Sequence, residues 1–593
     1  MTDRAFLDVD LSLGGRRWLG PSGEVLRQAE AIQQSTGLAE PTARILALRG
    51  VAADEADAFL APKLRDLMPD PRGLRDLEKA ATRLNRAVDA GETVAIFADY
   101  DVDGGASAAL LLDWLGQLGR SATLYIPDRI DEGYGPNPPA MEALARDHKL
   151  ILCVDCGTLS FDAIAAAHEA DVVIIDHHLG EDRLPDAMAI VNPNRQDETG
   201  ELAHLCAAAV VFLVLVEANR QRRAAGATAP DLMAMLDLVG LATVADVAPL
   251  VGLNRALVTQ GLKIMANRAR PGLAALADVA GLDTPPTAYH LGYVIGPRVN
   301  AGGRVGRADL GARCLAATDA DEARAMADRL HELNRERRDI EAQVRDAALA
   351  QAEERGLEGP LTWAAGAGWH PGVVGIVAAR LKEATGRPSV VIGLEDGVGK
   401  GSARSVKGVD LGSAIQRLAH EGLLIKGGGH KMAAGLTVEE DKIDAAMERL
   451  GALLAKQGAG ATGPRDLIID AALMPGAATA ELIAQIEAAG PFGQSAPAPR
   501  FAFPDVQILY AREVGSGHLK LRFGDGMGAR IDAIAFDGWA TEMGQALAQA
   551  KGARFHLAGR LNISHWGGKQ SGLGRQVFNL ERGVRFPYGL PLC

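Results

Sequence analysis

Three clusters of acids and histidines carry the chemistry this sequence can do. Asp99-Tyr100-Asp101-Val102-Asp103-Gly104 places three carboxylates within five residues. Such crowding is unfavourable unless a cation, protons or bulk water offsets it, so the motif reads either as a metal-binding end or as a solvated acidic turn. Asp155 lies in Cys153-Val154-Asp155-Cys156-Gly157-Thr158, and Asp176-His177-His178 sets two imidazoles beside a carboxylate. Carboxylates and neutral imidazoles are the donors that suit Mn²⁺, Mg²⁺, Fe²⁺ or Zn²⁺. A further acid, Asp246, stands shortly before Pro249. Asp101, Asp103, Asp155 and Asp246 together carry the charge that two divalent cations would nearly balance, and two ions about 3.5–4 Å apart can hydrolyse phosphodiesters or phosphoanhydrides. Cys153 and Cys156 have CxxC spacing but no second Cys pair follows, so they are expected to pack near the sheet edge and not to hold zinc.

These residues need a scaffold that brings them together. TVAIFA (93–98), ATLYIP (122–127), KLILCVD (149–155) and DVVIID (171–176) are short apolar runs, with helical stretches AALLLDWLGQLG (108–119) and FDAIAAAHEA (161–170) among them. Buried strands alternating with helices specify a parallel sheet covered on both faces, and ligands of such sheets sit beyond the carboxyl ends of the strands. The acidic motifs fall at those ends, and Asp246 is expected likewise to end a fifth element over 240–249. Residues 203–263 read as mostly helical. The stretch 319–355 alternates charges with Ala, Leu and Ile at helical spacing, which makes roughly 55 Å of helix at about 1.5 Å per residue, a connector between lobes. LTWAAG, VVGIVAARLKEA and SVVIGLE then repeat the strand–helix–strand pattern to about residue 455, and KQGAGATGP (456–464) breaks it. From residue 500, five alternating stretches suit a small β barrel, equally a nucleic-acid module or a packing domain. The expected divisions are a helical N-terminal segment (1–80), a catalytic domain (81–318), a connecting helix (319–356), a substrate-binding domain (357–455) and an OB-like domain (465–593).

Composition restricts the class further. The 593 residues are 48% apolar and 23% charged, which excludes disorder, collagen-like repeats and a coiled-coil rod. A formal charge of −13 argues against a surface coated for nucleic acid, but not against a basic channel in an acidic shell. Five scattered cysteines describe no disulfide framework. The opening residues lack a basic and then apolar leader, and the apolar windows fall short of a membrane span. A cytoplasmic protein without membrane attachment is expected.

The four acidic motifs taken together resemble those of the DHH phosphoesterase superfamily, named for its Asp-His-His triplet, and most closely its single-strand-specific DNA exonucleases. Further matches are Arg129 before Glu132-Gly133-Tyr134-Gly135, Gly296-Pro297-Arg298-Val299-Asn300-Ala301-Gly302-Gly303-Arg304, Trp369-His370-Pro371-Gly372-Val373-Val374-Gly375-Ile376, Gly401-Ser402-Ala403-Arg404-Ser405, and Lys426-Gly427-Gly428-Gly429-His430 followed by Ala433-Ala434-Gly435. The resemblance implies an α/β fold: a DHH parallel-sheet domain, a long helix, a smaller α/β domain and an OB-like β barrel. It implies a catalytic centre of Asp101, Asp103, Asp155, His177, His178 and Asp246 holding two divalent cations, Mn²⁺ or Mg²⁺. Asp99 would be a further ligand or an orienting group, and His178 could instead polarise the phosphate. Arg129, Arg304, Ser402, Arg404, Gly428, Gly429 and His430 would hold substrate. Gly427–Gly429 could form an anion-binding nest or an ordinary tight turn. The implied activity is 5′-to-3′ hydrolysis of single-stranded DNA to 5′-mononucleotides, in repair and recombination, by a monomer whose family role suggests a single-strand-binding protein and a helicase as partners. A cleft between the two α/β domains would admit one strand and exclude a duplex. Two other readings compete: a phosphodiesterase for short oligoribonucleotides or cyclic dinucleotides, which needs no barrel, and a DNA-binding replication scaffold, which would be expected to lack ligands. Pro491-Phe492-Gly493-Gln494-Ser495-Ala496-Pro497 lacks a Gly and an Asn of the family pattern, so contacts within the barrel are not transferred. Trp566 and Phe578 are stacking platforms or core, and neither is assigned.

Overall fold

The structure, a computed structural model, describes residues 4–128, 132–133, 135–460, 465–515, 517–564 and 575–585, with residues 465, 563–564 and 575–585 described by backbone alone. The chain divides into two compact units. The larger comprises Pro69–Ala248 and Leu257–Thr462.

Its first sheet is built from the apolar runs. β1 (Val94–Ala98) and β3 (Leu150–Val154) are buried along their whole length. β2 (Thr123–Tyr125), β4 (Asp171–Ile175) and β5 (Ala189–Val191) complete five parallel strands in the order β2-β1-β3-β4-β5. Strand order reverses between β1 and β3, and at such a switch point the loops leaving the carboxyl ends part to leave a crevice. Asp99 follows β1, Asp155 follows β3 and Asp176 follows β4, so the sheet delivers all three acidic motifs to that crevice. The helix expected over 161–170 stops at Ala166, and Ala167–Ala170 turn into β4.

Asp246 departs from expectation. It caps the end of a helix, Leu236–Ala245, and ends no strand. The connecting helix runs Ala320–Arg355, opened by Asp319, whose Oδ1 accepts the N–H groups of Asp321 and Glu322 at 3.0 and 2.9 Å. Two buried stripes divide it. Ala323, Ala327, Leu330 and Leu333 serve the first lobe, while Val344, Ala348 and Ala352 join Val373, Val374, Val377 and Val391 in the core of the second.

The second lobe carries a mixed sheet. Thr362–Ala367 pairs parallel with Ser389–Glu395, followed by antiparallel Val398–Arg404, Ala433–Glu439 and, at the edge, Lys426–His430. The glycine triplet is therefore an edge strand, which corrects both the nest and the tight-turn readings. The helix Leu411–His420 explains the glycines: a Cβ on Gly427 would meet Ile415 at 2.8 Å, and one on Gly412 would meet the Gly429 carbonyl at 2.7 Å.

The smaller unit comprises residues 1–68, 249–256 and 463–593. Strands Phe501–Val514, His518–Gly524, Arg530–Ala535, Arg575–Arg585 and Arg554–Ser564 pair in that order, and the last returns to pair with the first, closing an OB-like ring. Residues 4–68 share its core: Ile32, Ile45 and Leu46 lie in one cluster with Leu482, Ile483, Phe501 and Phe503. Within the otherwise helical N-terminal stretch, Arg16–Leu19 forms a strand parallel to Arg465–Ile468. Among the described residues, no helix is long and apolar enough to cross a membrane.

Candidate metal centre and substrate face

The turn after β1 is tight because Gly104 permits it; a Cβ there would lie 2.4 Å from the Asp99 carbonyl oxygen. Asp101 caps the helix Val102–Gln117, its Oδ1 accepting the N–H groups of Asp103 and Gly104 at 2.9 and 3.1 Å. Asp103 is buried in that helix's first turn, and the N-terminus of Ala207–Ala224 holds it: its two oxygens accept the N–H groups of Ala207 and Ala208 at 2.7 and 2.8 Å. Asp155 is buried in a left-handed conformation (φ 58°). Val247, next to Asp246, has φ 61°, a costly conformation for a β-branched residue. Strain of this kind persists where surrounding structure enforces it, and here it flanks the acid cluster.

His177 is the hub. Its Nε2 lies 3.3 Å from Asp155 Oδ1 and 3.7 Å from Asp103 Oδ2, and its Nδ1 lies 3.9 Å from Asp246 Oδ2. His178 is more exposed and is tied by Nδ1 to Asp176 at 2.8 Å. Asp176 itself is buried and fully engaged: Oδ2 accepts the Thr158 N–H and hydroxyl, and Oδ1 accepts the N–H groups of His177 and His178. Burial acts to raise the Asp176 pKa, yet these bonds, that from His178 foremost, hold it below the carboxylate range. In return the bond to Asp176 pushes His178 up to about 9. Asn192 donates to the His178 carbonyl and the Thr158 hydroxyl, and Asn194 to the His177 carbonyl. Asn192 and Asn194 stand in no motif that sequence reasoning could have singled out, and Thr158, at the end of the Cys153–Thr158 motif, had no role assigned from sequence.

The ligand atoms fall into three overlapping groups, each within 4.8 Å: Asp155, His177 and His178; Asp103, His177 and Asp246; Asp99, Asp101 and Asp155. All seven residues expected as ligands are thus brought together. Burial, then repulsion from Asp103, Asp101 and Asp99, raises the Asp155 pKa well above the usual range; burial and the same repulsion from Asp103 and Asp101 push Asp246 to about 8. Asp155 Oδ1 is buried with no hydrogen-bond partner. An orphaned carboxylate oxygen amid like charges is what a divalent cation relieves, so the residues fit one. Cys153, expected near the sheet edge, lies on β3, the central strand of the five; it and Cys156 are buried thiols with raised pKa and belong to none of the three groups.

A chain of close packing leads from this cluster into the second lobe. A Cβ on Gly303 would meet the Tyr100 ring at 2.2 Å, and one on Gly372 the Arg304 carbonyl at 2.4 Å. Arg304 Nη1 donates to the Gly372 carbonyl at 3.0 Å, so this arginine braces the two lobes. One turn on, a Cβ on Gly375 would lie 3.3 Å from Ser402 Oγ and 3.2 Å from Arg404 Nη2. Ser402, Gly435 and Gly428 are paired neighbours across three strands, and so are Arg404, Ala433 and His430. Positions in strict alternation share a face. That face carries Lys400, Arg404, Lys426 and His430 around a strip bare of side chains, and a Cβ on either Gly428 or Gly435 would meet nothing within 4 Å. Gly435, matched in the sequence as part of Ala433-Ala434-Gly435 but given no role there, gains its place on the strip from its pairing with Gly428. Gly429 has no place on the strip, since its Cβ would strike the Ala433 carbonyl at 2.4 Å. Arg129 and Trp566 lie outside the described residues, as does the side chain of Phe578.

An acid–imidazole cluster at the switch point of a parallel sheet, braced to a lobe with a cationic, side-chain-free strip, defines a metal-dependent phosphoesterase of the DHH class. Family models agree: residues 93–243 match the DHH family N-terminal domain, 358–456 the DHHA1 domain and 469–572 the RecJ OB domain. The chain is 36% identical over 550 residues to the single-stranded-DNA-specific exonuclease RecJ of Escherichia coli K12, covering 89% of this chain and 93% of that protein. It is 32% identical to RecJ of Bacillus subtilis 168, covering 89% of this chain and 66% of that one. The crystal structure of RecJ in complex with Mn²⁺ from Thermus thermophilus superposes with a TM-score of 0.79 at 28% identity, over 97% of this chain and 80% of that one. The chain belongs to the RecJ family of single-stranded-DNA-specific exonucleases.

Proposed function

We propose that this protein removes 5′-mononucleotides stepwise from the 5′ end of single-stranded DNA, using two divalent cations, Mn²⁺ or Mg²⁺. Metal-dependent nuclease action on single strands is the family's; polarity, ion number and residue roles are the proposal. The observation that carries it is the buried acid cluster centred on His177, with its orphaned Asp155 oxygen. Asp155 and His177 each belong to two of the three ligand groups, which supports two ions sharing those side chains. Asp99, Asp101, Asp103 and Asp246 would complete the set. A divalent cation there supplies a Lewis acid for phosphodiester hydrolysis. His178, exposed and held as a donor by Asp176, would act on the phosphate, separating its role from that of His177. Ser402, Arg404, Gly428 and His430 would seat phosphates on the bare strip. Four buried thiols with no disulfide suit a reducing, cytoplasmic setting. A monomer meeting single-strand-binding protein and a helicase is part of the same proposal, on family role.

The test is a time course with Mn²⁺ or Mg²⁺ on single strands labelled separately at each end. A bulky 5′ block should protect the strand and a 3′ block should not. Loss starting from the 3′ end, or cuts in a circular single strand, would defeat the polarity. Replacing Arg404 by Ala should lower kcat/KM roughly 10- to 100-fold, the worth of a charged hydrogen bond. Thermal stabilisation by Mn²⁺ should persist in that variant; its disappearance in a folded variant would contradict a role confined to substrate.

A further inference from the structure

Aromatic residues make up 4% of this chain, and among the described residues the exposed large ones are Tyr289, Tyr293 and Phe536. Two of the three form a pair. Tyr289 and Tyr293, 63% and 72% exposed, stack with ring centroids 5.1 Å apart and planes 24° from parallel. They lie one helical turn apart on the run Ala288–Ile295, whose last residues, Leu291–Ile295, widen to π-helical geometry, a distortion common at functional sites. That run packs on the helix Leu236–Ala245 just before Asp246. A Cβ on Gly292 would lie 3.4 Å from Val244, and one on Gly296 3.4 Å from Ala245. The tyrosines therefore project from a helix in contact with the one that presents an acid of the metal cluster, about 8–10 Å from axis to axis.

Exposed stacked rings bury little of each other and gain nothing for the core, so stability does not account for them. Base faces are the partner they fit, because every base can stack on an aromatic ring whatever its sequence. The charge nearby agrees. Arg298, on the helix that continues this run, donates to the Val294 carbonyl at 2.6 Å and to His331 Nδ1 at 3.3 Å, with Arg338 within electrostatic reach, so the same helical run that carries the rings for the bases also carries a cation for phosphates. We infer that Tyr289 and Tyr293 form a stacking platform for unpaired bases of the substrate strand close to the metal centre. Duplex bases already stack on each other and cannot use it, so the platform favours a single strand. This rests on the nuclease reading above.

Both rings are exposed, so Tyr289→Ala and Tyr293→Ala should fold and melt like the wild type. Each should raise KM for a single-stranded oligonucleotide by about tenfold with little change in kcat, within the range measured for base stacking on aromatic residues. Tyr293→Phe should restore KM, since the ring and not the hydroxyl is used. An abasic site stepped along the first nucleotides should cost the wild type a similar factor at one register, and cost the double alanine variant nothing further there. Unchanged KM in the alanine variants, or an abasic profile that the double variant keeps, overturns the platform. Wild-type protein that cuts no single-stranded DNA overturns the platform and the nuclease reading together.

Discussion

Exchanging Asp155 for Asn should abolish cleavage and leave the fold intact. Asparagine suits the site because it tolerates the left-handed backbone that Asp155 occupies (φ 58°), whereas alanine would add strain. It removes one negative charge from the point where two ligand groups meet. Even partners in the outer shell of a metal site are worth roughly 10–100-fold in activity, so loss here should exceed about 100-fold. Stability should move the other way. In the presence of a chelator, the wild type holds Asp155 buried against Asp103, Asp101 and Asp99, and all three repel it. The uncharged amide relieves that repulsion, so the chelated variant should melt above the chelated wild type. Adding Mn²⁺ should raise the melting temperature of the wild type and do much less for the variant, because only a ligand that binds the native state stabilises it. Near-normal turnover at saturating Mn²⁺ would remove Asp155 from the metal centre.

The sequence made the acid cluster legible because each of its first three parts ends a short apolar run, and a run of buried strand followed by acid and glycine has few other meanings in a parallel sheet. Asp246 shows the limit of that logic. Gly240–Ala245 is apolar but for Thr243, and periodicity cannot tell a buried helix from a buried strand over so short a stretch. Asp176 was legible as part of a triplet but not as its anchor. That distinction depends on Thr158 and on burial, and Thr158 reaches Asp176 from 18 residues away. Propensity misleads at Lys426–His430, since glycine is depleted in strands. Close packing of the helix Leu411–His420 overrides it. The strand at Arg16–Leu19 was hidden because its partner, Arg465–Ile468, comes from the far end of the chain. Part of the ring of the smaller unit, by contrast, could be read from alternation, since His518–Gly524 and Arg530–Ala535 alternate buried and more open positions.

Gly435→Val should separate activity from stability more cleanly than any change among the acids. Gly435 is exposed on the bare strip between Gly428 and Ser402, has ordinary extended backbone, and would give a new Cβ no neighbour within 4 Å. Valine favours strands, and replacing glycine in a strand interior gains roughly 0.5–1 kcal/mol of backbone entropy, so the variant should melt at or slightly above the wild type. If the strip seats the DNA backbone, its two methyl groups stand where the backbone must lie. Displacing bound substrate by about 1 Å can cost on the order of 100-fold in rate, and a branched side chain imposes at least that. DNA binding should weaken in parallel while Mn²⁺ stabilisation is kept, since no metal-site residue is touched. Gly429→Val supplies the contrast on the same edge strand. Its Cβ would meet the Ala433 carbonyl at 2.4 Å and its φ of 149° lies outside the range that side chains favour, so this variant should melt lower. A Gly435→Val protein that is stable and cuts single-stranded DNA at close to the wild-type rate would show that the substrate does not cross the strip, and would leave Arg404 and His430 without the surface on which their role depends.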